Sequence, residues 1–403
     1  MAATTLKKTR QTMLLLLCIG WGLGNLDRTV INYAIIHMAD ELTLSATQTG
    51  WVLSAFFLGY ALMQIPGGIL ADKIGAKVVL VAAVLMWSIF TGLTAIAGSF
   101  VLLVIIRFLF GIGEGGFQPA AAKVIASVFP KKHQSKAMSL LLASAAITLV
   151  LVPLIGSYLI VSIGWRLVFV CAGLVGLVVT LLYRRYIDVP PLKKAGKTSV
   201  AKVFKSLLHR PLMWLLLGTF FAIYAVNWGL TSWLPKYLTD IRGLALIEVG
   251  LLQLVPGLIM LVCMFCYGVL IDKLSLQANK QVAALFATGI VICLYLMFFA
   301  ETIVGFIVYQ SLIMVFITYI VVLLPSILLK ALPQAVVGTA MGIANTGGQL
   351  AGFATPVVIG FLIDYTDGSY VSVCYLLMAC AAICVPNMLL LSTSVDTHSS
   401  DQS

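Results

Sequence analysis

Charge is what this sequence has least of: across 403 residues only 10% are Asp, Glu, Lys or Arg, whereas 61% are hydrophobic. Soluble domains carry about 25% charged residues, so a soluble enzyme is excluded. The eight cysteines (Cys18, Cys171, Cys263, Cys266, Cys293, Cys374, Cys380 and Cys384) all fall in apolar runs. There they act as small hydrophobes, and no disulfide framework follows. Cys263 and Cys266 form a C-x-x-C, but on a hydrophobic stretch with no histidine nearby, so neither a metal nor a redox centre is expected. No nucleophile–base set occurs at membrane depth, which argues against an enzyme of any kind. The short alternating segments of an outer-membrane barrel are also absent.

What is present is a succession of apolar runs of about 20 residues, the length a helix needs to cross a bilayer. Twelve spans are expected, at 13–36, 49–70, 78–97, 100–128, 137–160, 167–186, 212–238, 248–271, 281–300, 303–329, 336–363 and 371–391. The first run continues past Ile36 without a small-residue cleavage site, so its basic start is read as part of span one rather than as a signal peptide. An even number of spans puts both ends on one side. Loops on that side carry nineteen Lys and Arg, and the opposite loops carry only Arg166, Lys236 and Arg242. The positive-inside rule then places both termini in the cytoplasm. The net charge of +11 is a topology signal, and no nucleic-acid partner is implied.

The longest loop, "DVPPLKKAGKTSVAKVFKSLLHR" (188–210), reads as a cytoplasmic linker. Pro190 and Pro191 break the helix, and the basic stretch after them suits a short amphipathic helix. Either side of it lies a six-span bundle, 1–187 and 211–403, the second ending in a short polar tail. The halves repeat. "GILADK" (Gly68–Lys73) ends span two and "GVLIDK" (Gly268–Lys273) ends span eight; "PLIGSYLI" from Pro153 in span five pairs with "PVVIGFLID" from Pro356 in span eleven. Matching motifs at matching places indicate parallel repeats. The expected fold is an all-α membrane protein of two six-helix bundles.

The loop after span two, "GGILADKIGAK" (Gly67–Lys77), resembles the G-x-L-a-D-r-x-G-r-k motif of the major facilitator superfamily. Gly68 lets helices approach, Asp72 can cap a neighbouring helix, and Lys73 and Lys77 can face cytoplasmic lipid. The resemblance implies that these four residues form a conformational latch for the outward-open state. "SAFFLGYALMQIPGGILAD", "RFLFGIGEGGFQPAAAKVIASVFP", "GWRLVFVCAGLVG", "WLPKYLTD" and "VGTAMGIANTGGQLAGFATPVVIGFLID" together resemble the anion:cation symporter branch, which includes bacterial sugar-acid and hexuronate permeases. The similarity runs from about Trp21 to Asp364, nearly the whole chain.

Ionisable residues inside a membrane cost several kcal/mol unless paired or hydrated, and are functional candidates by default. Asp27 and Arg28 lie in span one, Arg107 and Glu114 in span four, and Lys123 near the end of span four, where it can snorkel to the surface. At about 1.5 Å per residue, Asp27 lies roughly 13 Å below Ile36 and Arg107 roughly 10 Å below Phe100, on antiparallel helices. An Asp27–Arg107 pair is therefore expected. Glu114 is two turns beyond Arg107 on nearly the same face. Arg28 diverges by about 100° from Asp27, so it can face a central cavity if Asp27 turns to span four. One reading makes these four groups a packing network; buried ion pairs are weak stabilisers, which argues against it. In the other, Arg28 anchors a substrate carboxylate bidentately. Asp27 and Glu114 then exchange the coupling proton, with Arg107 as their partner. The resemblance implies the same assignment.

The C-terminal half has no comparable charge. It offers Tyr224, Asn227, Trp228 and Thr231 in span seven and Asn345, Thr346 and Gln349 in span eleven, groups suited to a polyhydroxylated ligand. The stretch "GIANTGGQ" and Tyr60 in "LGYALMQ" are similar to substrate-contacting positions of the family. Two departures stand out. Asn25 occupies a position where the family often has tyrosine, and span five offers only Ser139, Ser144 and Thr148 where sugar-acid permeases commonly carry an amide. Both point towards a smaller or more apolar carboxylate, and Asn25 is a candidate specificity residue.

The expected function is proton-coupled symport of a small organic monoanion by rocker-switch alternating access, with sodium left open as the ion. No cofactor or metal is called for. The partners are the anion and membrane lipid, the chain is expected to work as a monomer, and its place is a bacterial inner membrane. Two alternatives stay open: an efflux antiporter of organic anions, which lacks the expected glycine-rich span-five motif, and a non-transporting nutrient sensor.

Overall fold

A computed structural model describes residues 2–189, 200–332 and 334–391. Among the described residues the regular structure is helical throughout. Twelve helical segments among them are long and apolar enough to cross a membrane, and each coincides with an expected span to within about six residues. The chain divides into two compact units. The first holds α1 (Ala2–Glu41), α2 (Ala46–Lys73), α3 (Ala76–Thr94), α4 (Phe100–Gly115), α5 (Phe117–Val128), α6 (Lys131–Ile163) and α7 (Trp165–Tyr186), and Trp233–Leu254 clusters with them. The remaining elements are α8 (Val200–Leu208), α9 (Pro211–Asp240), α10 (Leu246–Lys273), α11 (Leu276–Phe298), α12 (Ile303–Ala331), α13 (Gln334–Tyr365) and α14 (Val371–Leu390). Pro190 and Pro191 of the expected linker lie outside the described residues, as does the polar tail from Ser392; α8 falls where the short amphipathic helix was expected.

Local chemistry sets the helix ends. Ser45 opens α2 with a capping box: its hydroxyl accepts from Gln48 N at 3.2 Å, and the Gln48 side chain accepts from Ser45 N at 3.0 Å. The hydroxyls of Ser99, Ser275 and Thr302 cap α4, α11 and α12 by accepting from the backbone N–H of Leu102, Ala278 and Gly305. Such caps satisfy backbone N–H groups that the helix leaves open. Between α2 and α3 the chain turns through Gly75 at φ +98°, a conformation that favours glycine and explains the second glycine of the motif. On the opposite side, Glu41 at the end of α1 accepts from Trp165 Nε1 at 3.0 Å and from Arg166 Nη1 at 2.5 Å, which ties α1 to the "GWR" start of α7.

The repeat seen in the sequence recurs in packing. In the first unit α3 lies against α4 and α7; in the second α11, its counterpart, lies against α12 and α14. The duplicated motif carries the same ion pair in both. Asp72 of α2 pairs with Lys123 of α5, and Asp272 of α10 pairs with Lys330 of α12 at 3.3 Å.

Candidate functional site

The site in the first unit is built on a contact of backbone against backbone. A Cβ placed on Gly59 would lie 2.1 Å from the Phe108 carbonyl oxygen, and one on Gly111 would lie 2.1 Å from that of Phe56. Glycine at both positions lets α2 and α4 touch directly, in the manner of small-residue interfaces in membranes. Gly113, on another face of α4, abuts Met86 and Trp87 of α3. The "GIGEGG" run therefore fixes α4 from two sides and holds Glu114 between them. Span four runs from Phe100 to Val128 as expected, with a local irregularity at Gly116, still at right-handed helical φ −82° and ψ −15°, between α4 and α5.

Arg107 of α4 donates from Nη2 to the Asp27 carboxylate of α1, and the pair is buried at 1% and 3% side-chain exposure. The pairing expected from helix depth is present. It is made through one nitrogen: Arg107 Nε and Nη1 have no hydrogen-bond partner among the described residues. Thr91 of α3 stands beside the carboxylate. Glu114 is fully buried, and neither carboxylate oxygen has a hydrogen-bond partner among the described residues. The charges acting on it are those of Arg28, Asp27 and Arg107. Buried polar groups are nearly always hydrogen-bonded, so an exception calls for a functional explanation.

Arg28 leaves α1 in a different direction from Asp27 and is half-buried. Its guanidinium carbon lies 4.7 Å from the ring centre of Phe56, 5.0 Å from that of Phe57 and 5.5 Å from that of Tyr60. These aromatic faces of α2 hold a cation by its attraction to the ring quadrupole. Tyr60 is buried, with its hydroxyl 3.4 Å from Gln118 Oε1. Asn25 donates its side-chain amide to the Trp21 carbonyl of its own helix at 2.8 Å, and its backbone carbonyl accepts from the Thr29 hydroxyl at 2.8 Å.

In the second unit, Tyr224 stacks on Phe220 at 5.9 Å and lies 6.2 Å from Trp228. A Cβ on Gly348 would lie 3.2 Å from the Tyr224 ring, so the "NTGGQ" stretch of α13 packs against this face of α9. Asn227 and Asn345 are half-buried, and Gln349 is buried with Oε1 making no hydrogen bond among the described residues.

Of the latch residues, Lys73 is exposed and Lys77 half-buried. Asp72 is paired with Lys123, and Lys123 also donates to the Gly68 carbonyl at 2.8 Å. Lys123 therefore bridges α5 to the motif instead of simply reaching for the surface. Its counterpart Lys330, at the end of span ten, was the available clue. Phe56, Phe57 and Phe110 were also missed: a phenylalanine in a membrane helix reads as lipid-facing or core, and only packing shows that it faces an arginine. Among the described residues no group of three or more His, Cys, Asp or Glu could hold a metal.

Among the described residues, twelve apolar helices in two repeated sets surround a buried charge cluster, an arrangement that accords with a membrane transporter. Residues 17–356 match the Major Facilitator Superfamily, and the chain belongs to it. It is 32% identical over 386 residues, 90% of this chain and 89% of the relative, to "Probable sulfoacetate transporter SauU" of Cupriavidus necator. It is 28% identical over 377 residues, 89% of each, to a hexuronate transporter of Bacillus subtilis. The fold is also that of a bacterial homologue of the human lysosomal transporter Spinster, at a TM-score of 0.78 over 95% of each chain and 20% identity. The relatives are organic-acid permeases of the kind the resemblance implied.

Proposed function

We propose that the protein is a secondary active symporter that takes up a small organic monoanion, a sugar acid or another carboxylate, together with a proton. One observation carries this reading. Glu114 is buried with no side-chain hydrogen bond among the described residues, next to a buried Asp27–Arg107 pair and under the charge of Arg28. An acid held dry beside arginines has its protonation set by whatever neutralises them, because desolvation and neighbouring charge act in opposite senses. Arg28 binds the carboxylate, since its planar guanidinium matches that shape. The incoming anion offsets the positive charge that had favoured ionised Glu114, so a proton is bound along with it. Release of the anion restores the positive charge and expels the proton.

The sulfoacetate and hexuronate relatives support a small organic anion as cargo. Tyr60 and Asn25, on the helices that carry and flank Arg28, are proposed as further ligand contacts of the first unit. Within the second unit, the amides of Asn227, Asn345 and Gln349 and the aromatic faces of Tyr224 and Trp228 are the groups proposed for ligand contact. The Asp72–Lys123 pair and the neighbouring Gly68, Lys73 and Lys77 act as a latch in alternating access. The basic loops support a bacterial inner membrane with both chain ends cytoplasmic.

The test is uptake of a carboxylate panel, with sulfoacetate and glucuronate included, into proteoliposomes under an imposed pH gradient. Uptake that follows the inward proton gradient and vanishes in Arg28→Ala is expected. Uptake indifferent to the gradient, or driven only by sodium, would overturn proton coupling.

A further inference from the structure

Two rings connect the arginines of the first unit. The Arg28 guanidinium carbon lies 4.7 Å from the Phe56 ring centre. The Phe56 ring is 5.5 Å from that of Phe110, inclined by 45°. Arg107, the partner of Asp27, lies in turn 4.7 Å from the Phe110 ring centre. Because Asp27 and Arg28 are consecutive in α1, these contacts close a loop: Arg28, Phe56, Phe110, Arg107, Asp27 and back along the backbone. Both rings are buried. The Phe56 backbone is also pressed against α4, where Gly111 leaves no space for a Cβ. That packing restrains the Phe56 backbone; its ring neighbours are Phe57 at 5.2 Å, Tyr60 at 5.5 Å and Phe110, of which Phe110 is the one on α4 beside Arg107.

We propose that Phe56, acting with Phe110, is the positioning element that couples anion binding at Arg28 to the Asp27–Arg107 pair. The inference rests on the reading of Arg28 as anion anchor and of the buried acids as proton sites. A cation is attracted to the face of an aromatic ring and not to its edge. An anion drawn to Arg28 turns the guanidinium and competes with the ring for it. Phe56 then tilts against Phe110, and the face that Phe110 presents to Arg107 changes. Arg107 holds Asp27 through a single nitrogen, so a small displacement alters the pair. The relay needs no further charge inside the membrane, which accords with rings at these two positions.

The experiment compares Phe56→Leu, Phe56→Tyr and Phe110→Leu with wild type in proteoliposomes. The probe is sulfoacetate or glucuronate, whichever the wild type accumulates. Two rates are read for each: gradient-independent exchange of labelled for unlabelled anion, and accumulation driven by an inward proton gradient. Leucine keeps an apolar side chain without a ring face. In Phe56→Leu and Phe110→Leu accumulation should fall about thirtyfold further than exchange does, the weight of a desolvated cation–ring contact. Phe56→Tyr, which keeps the face, should restore it. Undiminished accumulation in both leucine variants overturns the proposal. So does a parallel fall of exchange and accumulation in every variant, tyrosine included, since that is what a purely structural ring would give. A wild type blind to the gradient overturns the symport reading itself, which separates the two failures.

Discussion

Gly24 of α1 faces the carboxyl group of Glu114: a Cβ at position 24 would lie 3.4 Å from Glu114 Cδ and 3.6 Å from Oε1. The glycine thus leaves the acid a space that α1 would otherwise fill. Alanine there would make ordinary contact, whereas leucine would occupy the place of the carboxyl. Gly24→Ala should transport near wild-type rates. Gly24→Leu should fold but lose gradient-driven uptake, as Glu114→Gln should, with anion exchange persisting in the latter. Loss of exchange in Glu114→Gln would show that the acid is needed for more than the proton.

Removing Arg107 leaves the Asp27 carboxylate buried without its partner. Truncating one member of a buried pair costs about 3–5 kcal/mol. Arg107→Ala should therefore melt well below wild type in detergent, and Asp27→Asn combined with Arg107→Gln should recover most of that loss while remaining uncoupled. A double variant no more stable than Arg107→Ala would mean that the charges contribute little and that packing dominates.

The direct contact of α2 with α4 predicts a contrast between two glycines. Gly59→Ala puts a methyl 2.1 Å from the Phe108 carbonyl, and overpacking of this kind costs about 1–3 kcal/mol or more. Gly268 has nothing within 4 Å of its Cβ position. Gly268→Ala should be neutral or stabilising by up to about 1 kcal/mol, the helix-propensity difference. Thermal denaturation of the two purified variants decides it.

The Asp72 side chain is 71% exposed and that of Lys123 21%, so their pair is worth below about 1 kcal/mol of stability. Its weight falls on kinetics if it is a latch. Lys123→Ala should melt like wild type yet transport more slowly with KM little changed. The swap Asp72→Lys with Lys123→Asp should recover part of the rate. A Lys123→Ala variant that transports normally would assign the pair to packing.

Span number, the repeat and the Asp27–Arg107 pair were legible because they follow from hydropathy and from helix depth, which one sequence contains. The direction of a side chain around its helix is not. Nothing in "GIGEGG" says which helix its glycines touch; the Phe56 and Tyr60 carbonyls against Gly111 and Gly115 reveal that these are contact points. Lys280 counted as one more basic loop residue, yet it is buried and donates to the Leu391 carbonyl at the end of α14. The Asn25 amide donates to the Trp21 carbonyl of its own helix, a bond that its position beside Asp27 does not reveal. In each case the deciding partner lies on another helix or within the same one, where composition gives no sign.

The central claim is that one anion and one proton bind as a unit around Arg28 and Glu114. Calorimetric titration of the purified protein with its transported anion, in buffers of differing ionisation enthalpy, reads the protons taken up on binding. The account predicts proton uptake with each anion in wild type and none in Glu114→Gln. Binding by wild type without proton uptake, or undiminished uptake in Glu114→Gln, would contradict it.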